Sequence, residues 1–343
     1  MTMGIKNSQS AIEQKKRKRT TLTYIVGVCF LFISIYLNLA IGSSKIQFHD
    51  ILSYFTGHIE SEQTFLIHNV RMPRMLAGLV IGGALGIAGL LMQAITRNPL
   101  ASPQIFGVNA GASFVIVFIT VLIPSLGSYS TILAIIGAFF GGFTVYTLSV
   151  STKSITPVKL ALAGMAIHLF FSSMTQGIIL LNEDSNDTVM FWLVGSLAGI
   201  KWNQIMMILP CIVIAVIVTV FMGRQLTIME LGDDIARSLG QRTEIVRMII
   251  GILVIVLAGM SVSIAGPIGF VGLIVPHIVK RYVSKNYLVM LPLTFIFGAD
   301  LLLISDVLCR LITYPFESPV GIVTSFVGAF YFLFITVRGV NRV

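Results

Sequence analysis

Long apolar runs separated by short polar connections dominate the chain. They predict membrane-spanning helices at about residues 22–41, 75–95, 104–123, 131–151, 158–181, 204–222, 246–265, 269–279, 287–306 and 320–337. A helix of about 20 apolar residues crosses roughly 30 Å of hydrocarbon, and these runs are too continuous for the alternating strands of a barrel. The pattern therefore predicts an all-α integral membrane protein, a compact bundle of about ten transmembrane helices.

One of the predicted helices is short or broken. Residues 269–279 are too few to cross a membrane comfortably, and Gly266, Pro267, Gly269 and Gly272 interrupt the start of the segment. Irregular backbone at membrane depth is tolerated where protein rather than lipid surrounds it. We therefore expect this segment to be buried against neighbouring helices.

A stripe of small residues marks the second predicted helix. Gly78, Gly82 and Gly86 recur at a spacing of four. Such a stripe lets two helix backbones approach closely where no hydrophobic effect drives their association. It predicts close packing within the bundle and says nothing about a substrate.

Composition supports a membrane protein and excludes several other classes. The 343 residues are 56% hydrophobic and 11% charged, whereas a soluble domain carries about 25% charged residues. The net charge is +9, but the basic residues lie in the connections between spans, so no nucleic-acid partner is predicted. Cys29, Cys211 and Cys309 lie in or beside apolar runs, which is typical of packing residues rather than of disulfides or metal ligands.

Charge also predicts the orientation. Residues 1–20 form a polar tail with a basic cluster at 15–19, and residues 21–343 form the transmembrane domain. Most of the 23 Lys and Arg residues fall in the alternate connections that share a side with this tail. The positive-inside rule then places both termini in the cytoplasm. The run 22–41 is longer than the apolar region of a signal peptide, so we expect a retained first helix.

A search for catalytic motifs is negative. The chain has no G-x-x-x-x-G-K-[ST] phosphate loop, no H-E-x-x-H and no paired cysteine motif. We therefore expect no catalytic residue, no metal site and no cofactor in this chain. The five histidines are scattered, and His277 is interpreted as a packing residue.

Charged residues at two predicted helix ends are candidates for function. Arg71 and Arg74 flank Pro73 at the outer end of the second span, where two guanidiniums can meet carboxylates of a partner protein or extend to lipid headgroups. Asp306 and Arg310 lie near the end of the ninth span at a spacing that also permits a simple helical ion pair.

Two cytoplasmic segments are further candidates. The sequence Asn98-Pro99-Leu100-Ala101-Ser102-Pro103 forces irregular backbone at the membrane boundary, which suits a gate or a plain turn. Another connection is predicted to form a short helix that docks a partner or lies on the membrane surface. Its residues are Leu231, Gly232, Asp233, Asp234, Ile235, Ala236, Arg237, Ser238, Leu239 and Gly240.

Specific features of that connection support a helix. Asp233 can cap its start, and Gly240 can end it. Ile235 and Leu239 share one face. We expect the small residues Ala236 and Gly240 to let another protein approach closely.

Five sequence segments in order carry a resemblance to a known family. They are RMPRMLAGLVIGGALGIAGLLMQAITRNPLASPQIFGVNAGA, LGDDIARSLG, AGPIGFVGLIVPHIVKR, GADLLLISDVLCR and SPVGIVTSFVGA, and they extend from about Arg71 to Gly328. The chain resembles the FecCD family of importer permeases, which carry ferric siderophores, haem and cobalamin.

The resemblance implies an assembly. Family members have ten spans and pair as two permeases, either copies or related chains. Two ATPase subunits bind ATP and Mg below the permeases, and a substrate-binding protein docks above. It also implies residue roles: binding-protein docking for Arg71, Arg74 and Arg310, an ATPase coupling helix at 231–240, and a cytoplasmic gate at Asn98, Leu100, Thr156 and Pro157.

The expected function is therefore that of a permease subunit in a bacterial cell membrane. It would import an iron(III)–siderophore complex by alternating access, or haem or cobalamin through the same architecture. A secondary transporter driven by an ion gradient is a further alternative, and Asp300 is the one deep carboxylate that could serve it.

Overall fold

The computed structural model describes residues 2–42, 44, 46–56, 61–150, 157–182, 186–283 and 286–340. These residues form helices and no strand. The α-helices are α1 (Thr2–Ala40), α2 (Phe48–Phe55), α3 (Glu62–Leu66), α4 (Met72–Thr96), α5 (Val108–Leu122), α6 (Ser130–Val150), α7 (Pro157–Leu181), α8 (Asn186–Val194), α9 (Trp202–Phe221), α10 (Gly223–Met229), α11 (Asp233–Ser238), α12 (Thr243–Ala265), α13 (Val271–Tyr282), α14 (Tyr287–Ile312) and α15 (Val320–Val340).

The predicted all-α membrane bundle is confirmed. In the part of the chain described, 7 helices are long and apolar enough to cross a membrane. Two further apolar helices are shorter, α5 and the apolar part of α15, and α13 has only 12 residues. Each of the ten predicted spans coincides with one of these helices, with boundaries that differ by several residues.

Helix α4 lies at the centre of the bundle, with nearly all of its residues buried. A Cβ built on Gly82 would overlap the backbone oxygen of Gly298 in α14, and one on Gly86 would lie 2.7 Å from the oxygen of Thr294. The glycine stripe therefore packs against α14, as predicted, because only hydrogen atoms fit between the two backbones.

The broken helix is also confirmed. α12 ends at Ala265, Gly266 has φ +68°, and Phe270 has φ +66° before α13 begins at Val271. The ring of Phe270 occupies the space above Gly328 of α15. Gly266 and Ile268 are buried and Pro267, Gly269 and Phe270 are partly buried, so protein covers most of the irregular backbone, as is needed at membrane depth.

Several elements differ from the prediction. The helix of the first span also extends back through the polar tail, since α1 is one continuous helix from Thr2. The predicted span 104–123 is two elements, a 3₁₀ turn at Pro103–Phe106 and α5, separated by Gly107 in the left-handed conformation. Hydropathy alone could not separate them, because both elements are apolar.

The second span begins earlier than predicted. α3, a π-helical turn at Ile67–Arg71 and α4 follow one another without interruption from Glu62. Pro73 is the second residue of α4, directly after the π-helical turn, and it has no N–H to donate to that turn. As a result Arg71 and Arg74, three positions apart, lie within a continuous helical segment and not at its mouth.

Candidate functional site

Three arginines and two carboxylates form a cluster at the start of α4 and the end of α14. We call Arg71, Arg74, Asp306, Arg310 and Glu317 the arginine cluster. Nε of Arg74 donates to both carboxylate oxygens of Asp306, at 3.0 and 3.1 Å, and Nη2 of Arg310 donates to the same carboxylate at 2.8 Å. Nη1 of Arg74 also donates to Glu317 at 2.9 Å. The cluster therefore carries one excess positive charge.

Two of these arginines also bind the end of α1. Nη1 of Arg310 donates to the backbone oxygens of Asn38 (3.0 Å) and Ile41 (2.6 Å), and Nη1 of Arg71 donates to that of Leu39 (2.6 Å). The last carbonyls of a helix have no donor within the helix itself. The guanidiniums supply these donors from α14 and from the segment before α4.

The structure brings all three predicted docking arginines together but buries them. Their relative exposures are 5% for Arg71, 5% for Arg74 and 8% for Arg310. The helical ion pair between Asp306 and Arg310 is confirmed. Each arginine has partners within the chain, and contact with a second protein stays a prediction.

The predicted cytoplasmic helix exists as α11, but its start is built differently. Gly232, not Asp233, is the residue that precedes the helix, and no side chain caps the start of the helix. The prediction that Asp233 caps α11 is therefore wrong: its carboxylate pairs with Arg97 and, at 2.7 Å, with Arg247. Gly240 follows the helix with φ +81°, as expected of a residue that ends it.

One exposed face of this connection is apolar. Leu231, Ile235 and Leu239 are each more than half exposed at a spacing of four residues. Ala236, in contrast, is completely buried. The expectation that Ala236 leaves room for another protein is wrong, because its small side chain faces its own bundle.

The gate prediction is only partly covered by the described residues. Oδ1 of Asn98 accepts from the backbone N–H of Leu100 at 2.9 Å, and the N–H of Ala101 donates to the oxygen of Asn98 at 3.1 Å. This is an Asx turn, with the side chain of Leu100 half exposed. Thr156 lies outside the described residues, and of Pro157 the structure describes only the backbone, at the first position of α7. A gating role for these residues stays a prediction.

Two other residues singled out from the sequence lie between helices. Asp300 is 2% exposed, and its Oδ1 lies 3.3 Å from the hydroxyl of Ser34 in α1. The ring of His277 lies edge-on to that of Tyr331, with centroids 6.1 Å apart. This contact between α13 and α15 agrees with a packing role for His277.

A cavity of about 570 Å³ lies beside α5 and α7. Polar side chains from both helices line it: Asn109, Ser113, His168, Ser172 and Gln176. The described residues that line the cavity include no Asp, Glu, Lys or Arg. It can therefore form hydrogen bonds with a guest molecule, and His168 is the one titratable side chain among the described residues that line it.

Sequence reasoning missed this cavity, although a signal was present. His168, Ser172 and Gln176 recur every four residues within the apolar run 158–181. That spacing places them on one face of α7, where a polar stripe is unfavourable against lipid. The stripe indicates a face that something other than lipid covers.

Comparison with known proteins identifies the chain. The FecCD transport family matches residues 30–338. The chain belongs to the FecCD transport family. This confirms the resemblance inferred from the five motifs. FecCD chains are transmembrane permease subunits of ABC importers, with the ATPase activity in a separate subunit, so this chain is a transport component and not an enzyme.

Similar FecCD permeases are known from bacteria. The Fe(3+)-citrate import system permease protein YfmD of Bacillus subtilis is 44% identical over 328 residues, which cover 95% of this chain and 98% of that protein. The ferric enterobactin transport system permease protein FepD of Escherichia coli is 37% identical and covers 90% of this chain and 92% of its own.

A solved structure shares the architecture of this FecCD chain. It is a metal-chelate type ABC transporter in an inward-facing conformation, with a TM-score of 0.82 and 26% sequence identity. The match covers 93% of this chain and 99% of that one. The bundle of broken and unbroken helices described above is thus an ABC transporter membrane subunit.

Proposed function

We propose that this chain is the permease subunit of an importer that moves an iron(III)–siderophore complex into the cytoplasm by alternating access. The observation that carries the proposal is the match over almost the whole chain to YfmD, at 44% identity. The ferric enterobactin permease FepD matches over nearly the same length. A shared transporter fold with shared substrate chemistry is the simplest explanation for the similarity of this chain to both permeases.

The cavity beside α5 and α7 supports the same substrate class. We propose that the polar stripe of α7, defined by His168, Ser172 and Gln176, faces the substrate path between two permeases. Ferric chelates display hydroxyl, amide or carboxylate oxygens. Hydrogen-bonding side chains can bind these oxygens without holding the chelate too tightly for release. A path must bind its substrate weakly enough to release it, and a lining without Asp, Glu, Lys or Arg favours such weak contacts.

The proposal includes partners on both sides of the bundle. Two ATPase subunits would bind the exposed apolar residues Leu231, Ile235 and Leu239 of the connection 231–240, since this face is uncovered in the single chain. A substrate-binding protein would dock on the arginine cluster, whose excess positive charge complements acidic side chains. The second permease would be a copy or a related chain.

The proposed location is a bacterial cell membrane with both termini in the cytoplasm. The basic cluster before the first apolar stretch of α1 supports this orientation, because Lys and Arg are enriched on the cytoplasmic side. In this orientation the turn at Asn98 and Leu100 would lie at the inner mouth, as a gate requires, and the arginine cluster at the outer mouth.

Uptake of radiolabelled ferric chelates by cells tests the proposal. Cells with the gene intact, deleted or restored would be given ferric citrate, a ferric hydroxamate and a ferric catecholate, with haem and cobalamin as comparison substrates. We expect deletion to abolish uptake of at least one ferric chelate and restoration to return it. Loss of haem or cobalamin uptake alone would contradict the iron assignment and leave the importer architecture.

A further inference from the structure

One carboxylate joins three separate parts of the cytoplasmic side. Asp233 is the first residue of α11, and both of its oxygens accept hydrogen bonds from Nη2 of Arg247, at 2.9 and 2.7 Å. Its Oδ1 also pairs with Nη2 of Arg97. Arg97 lies 136 positions earlier in the chain, so this contact exists only because the bundle brings the end of α4 to the start of α11.

Arg97 is the residue at which α4 ends. Its φ of +50° is in the left-handed region, an unfavourable conformation for a residue with a Cβ. Nη2 of Arg97 also donates to the backbone oxygen of Met229, at 3.4 Å. These contacts with the segment around α11 help to hold Arg97 in this conformation.

The gate turn follows Arg97 directly. Asn98 accepts from the N–H groups of Leu100 and Ala101, so residues 98–101 form one hydrogen-bonded turn. Ala101 is completely buried and Leu100 is half exposed. Only two residues, Asn98 and Pro99, separate Arg97 from Leu100.

The two arginines differ in how firmly they are held. The side chain of Arg247 is 7% exposed and belongs to α12, which is buried in the bundle. The side chain of Arg97 is 41% exposed. Arg247 is thus the fixed partner of Asp233, and Arg97 is the partner with room to move.

We propose that Asp233 is a positioning residue that transmits movement of the connection 231–240 to the gate turn at residues 98–101. This inference rests on the proposed function, in which the ATPase subunits bind that connection. When they displace α11, the carboxylate of Asp233 turns about Arg247 and carries Arg97 with it. The link converts a movement at the surface into a movement of Leu100.

A purely structural role makes a different prediction. If the three side chains only stabilised the fold, their removal would lower stability without changing the number of substrate molecules moved per ATP by the folded importer. If Asp233 transmits movement, ATP hydrolysis becomes partly uncoupled from transport. The ratio of substrate transported to ATP hydrolysed separates the two roles.

The experiment uses the complete importer in proteoliposomes. Asp233→Asn, Arg97→Gln and the double variant would be compared with the unaltered chain, using the ferric chelate that cells take up best among citrate, hydroxamate and catecholate complexes. The matched control is Glu244→Gln. Glu244 pairs with Arg237 at 3.6 Å, both side chains being more than half exposed, so this variant also removes one carboxylate charge beside α11 but leaves the link to α4 intact.

We expect Asp233→Asn and Arg97→Gln each to lower the transport ratio about tenfold, and the double variant to be no worse than either, because residues acting through one contact are not additive. Glu244→Gln should keep the unaltered ratio. Arg97 lies outside the connection 231–240, so an unchanged ratio of substrate transported to ATP hydrolysed in Arg97→Gln would overturn the inference. Multiplied effects of the two substitutions in the double variant would also overturn it. Failure of the unaltered chain to bind ATPase subunits or to transport would instead overturn the proposed function.

Discussion

The carboxylate of Asp306 lies 3.0 Å from Nε of Arg74 across the interface of α14 and α4, and both side chains are almost completely buried. Arg310 shares the same carboxylate. Removing one partner of a buried ion pair leaves an uncompensated charge in a medium of low polarity, which costs about 3–5 kcal/mol. The arginine cluster therefore holds the bundle together whatever else it binds.

The first prediction concerns this pair. We expect Asp306→Asn to lower the free energy of unfolding by about 3 kcal/mol or more, measured as a lower thermal midpoint of the purified protein in detergent. Asp234→Asn is the matched control, because Asp234 is exposed on the surface of α11 and changes there are usually within about 0.5 kcal/mol. Equal thermal midpoints for the two variants would contradict the prediction.

The second prediction concerns docking. The side chain of Glu317 is 52% exposed, and it occupies Nη1 of Arg74. Glu317→Gln raises the excess charge of the arginine cluster from one to two, so an acidic binding protein should associate faster at low salt, about two- to fivefold. Surface plasmon resonance with the binding protein measures this rate. Glu62→Gln, an exposed change in α3, should have a smaller effect, and an equal effect would show that total charge rather than this site matters.

The third prediction concerns the close approach of α4 and α13. A Cβ on Gly89 would overlap the backbone oxygen of Gly272, and backbone cannot yield as a flexible side chain can. We expect Gly89→Ala to destabilise the protein by about 1–3 kcal/mol, again as a lower thermal midpoint. Gly177→Ala in α7 is the control, since a Cβ there would meet nothing within 4 Å. The prediction fails if the two alanine variants are equally stable.

The fourth prediction distinguishes an ATP-driven importer from a transporter driven by an ion gradient. Asp300 is the deeply buried carboxylate of α14 whose hydroxyl neighbour is Ser34. In an ATP-driven importer it has no ion to carry, so Asp300→Asn should keep uptake within about twofold and, because burying a charge is costly, should not lower stability. Loss of uptake from a protein still present in the membrane would favour ion coupling.

The fifth prediction concerns the substrate path. Ser172 lines the cavity, whereas Ser173 is exposed on another face of α7 and does not. We expect Ser172→Leu to lower the maximal uptake rate severalfold through lost hydrogen bonding and lost volume, and Ser173→Leu to leave it unchanged. Protein amounts in the membrane would be measured in parallel. Equal uptake by both variants would place the path elsewhere.

The sequence predicted the features that depend on local pattern. Continuous apolar runs located the spans, and Gly266 with Pro267 located the break before α13, because both signals act through neighbouring residues. The ion pair between Asp306 and Arg310 was foreseen for the same reason, since its members are four positions apart on one helix. Gly240 likewise marked the end of α11.

Features that depend on distant residues were not predicted. Asp233 was expected to cap α11, yet its partners Arg97 and Arg247 come from α4 and α12. The orientation of Ala236 was also wrong, because the burial of a small residue depends on which neighbour packs against it. The polar stripe of the run 158–181 indicates a face that lipid does not cover, but the cavity itself depends on the packing of α5 against α7.

The contacts of Arg310 with the end of α1 have a consequence for biogenesis. The backbone oxygen of Asn38 receives its hydrogen bond from a residue 272 positions later, and at about 5–20 residues per second a ribosome needs roughly 15–55 s to reach it. During that interval the carbonyl groups at the C-terminal end of the first helix lack these hydrogen-bond donors. The helix that is synthesised first is therefore among the last to form its tertiary hydrogen bonds. A nascent chain that stops before α14 exposes the unpaired carbonyl groups at the end of α1 to the quality-control proteases of the membrane.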